Sequence, residues 1–360
     1  MAASAGRESG RPYRFGIVGA GVIAATHADA VEALPGARLA AVTDVVPETA
    51  KAFARDRRCV AEPGLPDLLA RDDIDVVSVC VPSGLHAKVG CQVAAAGKHL
   101  VVEKPIDVTL AAADRLIEAV QAAGVVMTVI SQHRFDPGLL ELRRLLDDGA
   151  LGRVVFGEAS TKWHRTSGYY NSASWRGTWA LDGGSLMNQG VHYVDLLRWS
   201  MGPVAEVTAL CATQGHEIEV EDTALAILRF TSGAIGTIVS STATFPGSAQ
   251  RLEVSGTAGT IVIEDGSIVR RALSDGKHAG AAPAAEPGAA ANAAAIGASG
   301  HTAQLADLLD AIEEGRPPAV TPQSARAALE IVCAVYQSAQ EGRTIALPAP
   351  ATEGREAASR

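Results

Sequence analysis

A glycine-rich turn near the start of the sequence has the residue types and spacing of a dinucleotide-binding site. Gly19-Ala20-Gly21-Val22-Ile23-Ala24 separates an apolar run from a helical pattern, and Asp44 lies 23 residues beyond Gly21. Such glycines let a pyrophosphate approach a helix N-terminus, and a carboxylate at this spacing accepts hydrogen bonds from ribose hydroxyls but repels a 2′-phosphate. A turn without a ligand is the alternative. The motif predicts NAD rather than NADP, with Gly19, Gly21, Val22, Ile23 and Asp44 as cofactor residues.

Lys104, Asn188 and His192 are also placed where chemistry is expected. Lys104 follows a predicted parallel strand, and ligands bind at the carboxyl edge of such sheets. Asn188 and His192 are four residues apart in a predicted helix, so they share one face. Without further context, the alternative interpretations are an ordinary surface lysine for Lys104 and a core histidine for His192. His192 and Asp195 lack a third metal ligand nearby, so no metal site is predicted.

Two successive patterns predict an α/β protein of two domains. From residue 14, buried apolar runs alternate with helical patterns, which predicts an N-terminal Rossmann-type, doubly wound parallel sheet. The predicted strands are 15–18, 39–42, 74–81, 99–102 and 125–130. The predicted helices are 23–34, 48–55, 85–96 and 110–123.

Beyond His133 the pattern changes to strands joined by short turns, which predicts an α+β domain with a large, open, mostly antiparallel sheet. A helix is predicted at 139–146, with strands at 154–163, 204–213, 223–230, 235–244, 252–254 and 260–263. Two amphipathic helices follow, around 305–312 and 329–336. The expected organisation is a disordered tail at 1–12, an NAD-binding domain at 13–133, a substrate-binding and oligomerisation domain at 134–348 with a flexible Ala/Gly/Pro loop at 279–300, and a disordered tail at 349–360.

Composition excludes several classes of protein. The chain has 360 residues, 48% of them hydrophobic, and 40 acidic against 31 basic residues, for a net charge of −9. This favours a globular protein and disfavours nucleic acid as a partner. The five cysteines form no close pair, and no apolar run reaches the ~20 residues needed to cross a bilayer. We therefore expect a cytoplasmic protein without a membrane partner, although residues 15–25 could also pass for a short signal segment.

Four motifs, in this order and spacing, resemble those of the Gfo/Idh/MocA oxidoreductases, two-domain sugar and cyclitol dehydrogenases. They are Gly19–Ala24, Val81-Pro82-Ser83-Gly84-Leu85-His86, Glu103-Lys104-Pro105 and the glycine-initiated helix with His192. The resemblance extends from Arg14 to about Pro348. More narrowly, residues 163–170, 175–179, 187–189 and 218–223 resemble the UDP-N-acetylglucosaminuronate 3-dehydrogenase type. The family resemblance implies hydride transfer between a sugar carbon and the nicotinamide of NAD, and the narrower type places it at C3.

The resemblance also implies roles for individual residues. His192 is expected to take the hydroxyl proton as general base, and Lys104 to bond the same oxygen and stabilise the alkoxide. Many members carry Asp where this chain has Asn188, so Asn188 is expected to orient the substrate or Lys104, and Asn188→Asp to be tolerated. The further cofactor residues implied are Pro82, Ser83, His86, Glu103, Lys104, Trp175 and Arg176. The implied substrate residues are Lys104, Arg134, Arg165, Tyr170, Asn188, Gln189 and His192.

The expected partner is a small sugar or nucleotide sugar, since arginine suits a carboxylate or diphosphate. Alternatives are an NAD-dependent glycosidase that oxidises C3 transiently, a cyclitol (inositol) dehydrogenase, a ketosugar reductase, and an NAD-sensing protein without turnover. Alternating apolar residues in the strands from 204 to 244 would leave one sheet face uncovered. This predicts a homodimer or homotetramer formed through that sheet.

Overall fold

A six-stranded parallel sheet forms the first domain in the computed structural model, which describes residues 11–274 and 297–348. Its strands are β1 (Tyr13–Val18), β2 (Ala37–Thr43), β3 (Val60–Ala61), β4 (Val76–Val79), β5 (His99–Val102) and β6 (Met127–Val129). The order across the sheet is β3-β2-β1-β4-β5-β6, and every pair is parallel. The order reverses between β1 and β4, which leaves a crevice at their carboxyl ends. The predicted doubly wound sheet is confirmed.

Five helices connect these strands: α1 (Val22–Glu32), α2 (Pro47–Arg57), α3 (Leu65–Leu69), α4 (His86–Ala95) and α5 (Leu110–Ala123). The two faces of the sheet contribute to different apolar clusters, one with Ile17 and α1, the other with Val77, α4 and α5. β3 and α3 were not predicted, because two and five residues are too few to show a period.

An eight-stranded sheet forms the second domain, in the order β13-β12-β11-β7-β10-β9-β8-β14. Its strands are β7 (Val154–Lys162), β8 (Val204–Ala212), β9 (Thr223–Phe230), β10 (Ile235–Ser241), β11 (Arg251–Gly256), β12 (Gly259–Glu264), β13 (Ser267–Leu273) and β14 (Ile345–Ala346). β7 and β10 are parallel, and the other neighbours are antiparallel. The mostly antiparallel sheet is therefore confirmed, with β13 and β14 as additions.

α6 (Pro137–Asp147) precedes β7, and α7 (Ser167–Tyr170) and α8 (Val191–Met201) lie between β7 and β8. α8 directly follows a π-helical turn, Leu186–Gly190. α8 packs on one face of the sheet, where its buried Leu197 belongs to the same apolar cluster as Leu228 of β9. In β9, buried and exposed residues alternate, so the opposite face of the sheet is exposed.

Two helices, α9 (Ser299–Glu314) and α10 (Pro322–Glu341), precede β14, and three sequence predictions need correction here. Ser299 and Gly300, predicted within the flexible loop, form the first turn of α9; residues 279–296 lie outside the described residues, as do 1–10 and 349–360. α9 was assigned to the second domain, yet Leu305 and Leu308 are buried in the same cluster as Phe15 of β1, because this face of the parallel sheet needs a cover. Arg11, predicted in a disordered tail, is held by two 2.7 Å bonds to Asp75.

Among the described helices, none has both the length and the apolar character needed to cross a membrane.

Candidate active site

The turn after β1 leaves room for a phosphate group at the start of α1. Gly19 has a φ of +92°, and a Cβ there would lie 2.6 Å from the carbonyl oxygen of Cys80, so only glycine fits. Gly21 is the N-cap of α1, and a Cβ on it would meet nothing within 4 Å. α1 has no side-chain cap and no acidic residue in its first turn. The open space and the uncapped helix terminus fit a pyrophosphate.

Asp44 lies beside this turn, after the end of β2. Its two carboxylate oxygens accept from the backbone N–H groups of Ala20, at 2.7 Å, and Val46, at 2.8 Å. Each oxygen keeps a second lone pair for a ribose hydroxyl. Val22, Val45 and Val46 expose their apolar side chains nearby. Gly19, Gly21, Val22 and Asp44, which were predicted to bind NAD, therefore share one edge of the parallel sheet.

Lys104 contacts the second domain across the crevice. Its Nζ donates to the backbone oxygen of Asn188 at 3.0 Å and to Asn188 Oδ1 at 3.2 Å. Asn188 lies in the π-helical turn, and its Nδ2 donates to Asp182. His192, in the first turn of α8, lines a small cavity together with Lys104 and makes no hydrogen bond from its ring to the described residues. The structure thus brings the three predicted catalytic residues together.

The charge states of this group suit proton abstraction. Burial lowers the pKa of His192 well below its ordinary value, and the positive charge of Lys104 lowers that pKa further. Burial also lowers the pKa of Lys104, against the opposing effect of the Glu103 and Asp182 carboxylates. A neutral imidazole beside an ammonium group can accept a hydroxyl proton while the ammonium stabilises the resulting oxyanion.

Glu103, predicted as a cofactor residue, is buried in a charged cluster with His27 and His301. One oxygen lies 2.9 Å from His27 Nε2 and 3.6 Å from His301 Nε2, and the other accepts from the backbone N–H of Lys104 at 3.1 Å. Burial would raise the pKa of Glu103, but the two histidines hold that pKa well below its ordinary value. These side chains also offer metal-ligand atoms within 4.8 Å of one another, a grouping that no sequence spacing indicated. The cluster supports the backbone that carries Lys104.

A stack of aromatic and cationic side chains lies next to Asn188. The Arg176 guanidinium lies 4.2 Å from the ring centroid of Tyr169 and 4.6 Å from that of Trp175. Arg176 Nη1 donates to the Tyr169 hydroxyl at 2.6 Å, and Gln189 Nε2 donates to the same oxygen at 3.2 Å. Tyr169 therefore joins the predicted cofactor residues Trp175 and Arg176 to the predicted substrate residue Gln189.

Arg165 adds a second guanidinium to this stack. It lies 4.7 Å from the ring centroid of Trp163 and 5.5 Å from that of Tyr169. Arg165 and Arg176 both contact the Tyr169 ring, and both lower the pKa of Lys104 electrostatically, so the three positive charges influence one another. We call Lys104, Arg165 and Arg176 the cation cluster. The cluster can attract an anionic ligand, although the protein as a whole is acidic.

Other predicted residues are engaged within the protein. Arg134 is buried, and its guanidinium donates to Asp195 at 2.8 Å and to Ser324 at 2.7 Å. His86 is also buried, with its ring nitrogens 2.7 Å from the Pro105 oxygen and 2.9 Å from the Val81 oxygen. The structure therefore places both side chains in contacts within the protein.

Tyr170 and Tyr169 lie on different sides of the short helix α7. The Tyr170 hydroxyl bonds Thr242 at 2.8 Å, and its ring packs 4.7 Å from His216, so it faces the second-domain sheet. Its neighbour Tyr169 faces Arg176 and Gln189 instead. No sequence signal separates two adjacent tyrosines in a four-residue helix, and Tyr169 was missed for that reason.

The turn Pro82-Ser83-Gly84 links the cofactor edge to the loop before Asp182. The Gly84 N–H donates to the Leu181 oxygen at 3.1 Å, and a Cβ on Gly84 would lie 1.9 Å from the Ala180 oxygen. Only glycine allows this approach. Ser83 is buried in the same turn, and the predicted residues Pro82 and Ser83 therefore lie at the border of the two domains.

Comparisons with known proteins agree with this arrangement. Residues 13–131 match the model of the oxidoreductase family with an NAD-binding Rossmann fold, and residues 139–262 match the GFO/IDH/MocA C-terminal domain. The chain is 30% identical to the inositol 2-dehydrogenase of Rhizobium meliloti (strain 1021) over 340 residues, which are 93% of this chain and 99% of the relative.

Two solved structures are similar over nearly the whole chain. They are the WlbA dehydrogenases from Bordetella pertussis and Chromobacterium violaceum, both crystallised in complex with NADH and UDP-GlcNAcA. Each has a TM-score of 0.84 and 31% identity; the first match covers 94% of this chain and 100% of the other, the second 95% and 97%. The chain therefore belongs to the Gfo/Idh/MocA family and is an NAD-dependent oxidoreductase.

Proposed function

We propose that this protein oxidises a secondary hydroxyl of an anionic pyranose, at C3, and that the catalytic residues are Lys104, Asn188 and His192. The convergence of these residues beside the cation cluster carries the proposal. The C3 position comes from the resemblance to the UDP-N-acetylglucosaminuronate 3-dehydrogenase type. NAD, when bound at Gly19, Gly21 and Asp44, accepts the hydride.

His192 takes the hydroxyl proton in this proposal. Its lowered pKa keeps the ring neutral at pH 7, and its nitrogens are not engaged by the described residues. Lys104 holds the same substrate oxygen. An ammonium group has three N–H donors, and Asn188 accepts from Lys104 with two oxygens, so one donor is left for the developing alkoxide. Asn188 thus orients Lys104.

The cation cluster supports an anionic substrate. Two guanidinium groups and one ammonium group repel one another, a repulsion that the Asp182 carboxylate reduces and that a bound anion would reduce further. Guanidinium groups stacked on aromatic rings are preorganised for a carboxylate or phosphate. UDP-GlcNAcA, the ligand of the two WlbA structures, has this chemistry. We assign Arg134 to the internal ion pair with Asp195 rather than to substrate binding.

We also propose that the exposed sheet face pairs with a second copy of the chain. Leu210 and Leu225 are cross-strand partners on β8 and β9, and they are 73% and 46% exposed. Ile227 and Ile235 extend the same apolar surface, at 60% and 50% exposure. A contiguous apolar surface on adjacent strands is typical of an interface.

Release of NADH in the presence of candidate substrates tests the proposed function. We expect oxidation of UDP-GlcNAcA and little activity with myo-inositol, which has no anionic group. UDP-GlcNAc keeps the diphosphate but lacks the carboxylate, so its activity tells which of the two anions the cation cluster binds. Arg165→Leu should raise the KM for UDP-GlcNAcA at least about tenfold while changing kcat little. Turnover of myo-inositol alone would contradict the anionic substrate and favour a cyclitol dehydrogenase. Cleavage of a glycoside without net NADH would favour the glycosidase alternative.

A further inference from the structure

A chain of polar contacts leads from Lys104 into the protein and ends at Asp182, a buried residue without an assigned role. Asn188 Oδ1 accepts from Lys104 Nζ at 3.2 Å, and Asn188 Nδ2 donates to Asp182 Oδ1. Asp182 Oδ2 accepts from the backbone N–H of Gly177 at 2.8 Å. Asp182 is 1% exposed, so water cannot replace these partners.

The direction in which these hydrogen bonds are donated is set by the two groups at the ends of the series, the Lys104 ammonium and the Asp182 carboxylate. An ammonium group only donates hydrogen bonds, and an ionised carboxylate only accepts them. A primary amide can join the two in a single orientation, with its oxygen toward Lys104 and its NH₂ toward Asp182. Rotating the Asn188 amide by half a turn would oppose two donors at Lys104 and two acceptors at Asp182.

We propose that Asp182 is a positioning residue for the oxidation, because it holds the Asn188 amide in the one orientation that aims the Lys104 ammonium at the reacting oxygen. The inference rests on the proposed function, in which Lys104 bonds that oxygen. The carboxylate has a second effect, since its negative charge counteracts the lowering of the Lys104 pKa by burial. Lys104 therefore stays charged and correctly directed.

A purely structural role is the competing explanation, because Asp182 also ties the loop at Gly177. Exchanging the two side chains separates the explanations. In Asp182→Asn/Asn188→Asp, the new amide at position 182 can accept from Gly177 with its oxygen and donate from its NH₂ to the new carboxylate at position 188. That carboxylate can in turn accept from Lys104. Every donor again meets an acceptor, although both residues have changed.

Each single variant disrupts this series of hydrogen bonds. In Asp182→Asn, the new amide must turn its oxygen to the Gly177 N–H, so its NH₂ points toward position 188. The Asn188 NH₂ then meets either that NH₂ or, after rotation of the Asn188 amide, the Lys104 ammonium. In Asn188→Asp, two carboxylates face each other in a buried site. A mismatch of this kind leaves a buried polar group without its partner, which corresponds to a loss of about tenfold to a hundredfold.

The experiment compares the wild type, both single variants, the exchanged double variant and a matched surface control, Asp56→Asn. Asp56 is an exposed acid on α2, away from this chain of contacts. For each protein, kcat and KM with UDP-GlcNAcA, the Kd for NADH and the melting temperature are measured. We expect each single variant to lose at least about tenfold in kcat with an unchanged Kd for NADH, and the double variant to recover most of the loss. The control should match the wild type.

The outcomes separate the inference from the proposed function. An active wild type whose double variant is no better than the worse single variant would overturn the inference, as would single variants with wild-type kcat. A wild type that oxidises none of the sugars would refute the proposed function instead. In that case the melting temperatures test the contact on which the inference depends: recovery in the double variant supports the pairing of positions 182 and 188, and an additive loss overturns the inference.

Discussion

Glu221, which precedes β9, has a buried carboxyl group that contacts the start of the helical segment carrying Asn188 and His192. Its Oε1 accepts from the Leu186 N–H at 2.8 Å and from the Tyr336 hydroxyl at 3.1 Å, while Oε2 has no hydrogen-bond partner among the described residues. Burial raises the pKa of Glu221 to about 7 from an ordinary value of 4.5. Replacing it with glutamine, which cannot ionise, should therefore change how stability depends on pH.

The sign and the size follow from proton linkage. Because the folded-state pKa is the higher one, the folded protein binds more protons than the unfolded chain between these two pKa values. The free energy of unfolding therefore falls as the pH rises through this range. At about 1.36 kcal/mol per pKa unit, Glu221 alone removes about 2.5 kcal/mol between pH 5 and pH 8. Glu221→Gln lacks this loss and retains an oxygen for Leu186 and Tyr336.

Urea unfolding of the wild type and of Glu221→Gln at a series of pH values measures the effect. The difference in unfolding free energy, variant minus wild type, should rise by about 2.5 kcal/mol from pH 5 to pH 8, whatever its value at pH 5. Glu217→Gln is the matched control, because Glu217 is exposed nearby, and its difference should stay flat. A difference for Glu221→Gln that does not vary with pH would refute this reasoning.

Three further predictions concern the site and the exposed sheet face. His192→Ala and Lys104→Met should each lower kcat at least about a hundredfold while the Kd for NAD stays unchanged; near wild-type turnover in both would place the chemistry on other residues. Titration should show NAD bound at least about tenfold more tightly than NADP, and Asp44→Ala should narrow that gap; equal affinities in the wild type would contradict the role of Asp44. Light scattering should give a dimer or tetramer, and Leu210→Glu with Ile227→Glu should dissociate it; a monomeric wild type would rule out the interface.

The parts of the site that are predictable from sequence depend on local spacing. The turn at Gly19 and the acid at Asp44 belong to one strand-helix-strand unit, whose geometry is repeated in most doubly wound sheets. Lys104 follows a strand of the same sheet, so predicting the parallel strands already places Lys104 at the carboxyl edge of that sheet. The α-helical period predicts that Asn188 and His192 share one face, but the structure places Asn188 in a π-helical turn just before α8, and no sequence signal indicated that turn.

The parts that were missed depend on contacts between distant segments. Arg134 meets Asp195 across 61 positions, and nothing local to either residue indicates that the guanidinium is already engaged. α9 carries an amphipathic pattern, but a pattern shows only that one face is buried and not which sheet buries it. The same limit applies to His301, which reaches Glu103 from α9.

The donor and acceptor chain from Lys104 to Asp182 shows why a single residue type is a poor guide to this site. Asparagine at position 188 looks like the loss of a charge when compared with the aspartate that the family resemblance leads us to expect there. In the structure the carboxylate is present one residue further along the chain of contacts, at Asp182, and the amide transmits its orientation to Lys104. Asn188→Asp alone would add a second buried carboxylate beside the first, so the inference predicts lost activity where the family resemblance implies tolerance. We further expect an aspartate at position 188 to preserve activity only when Asp182 is replaced by an amide, which the exchanged double variant tests.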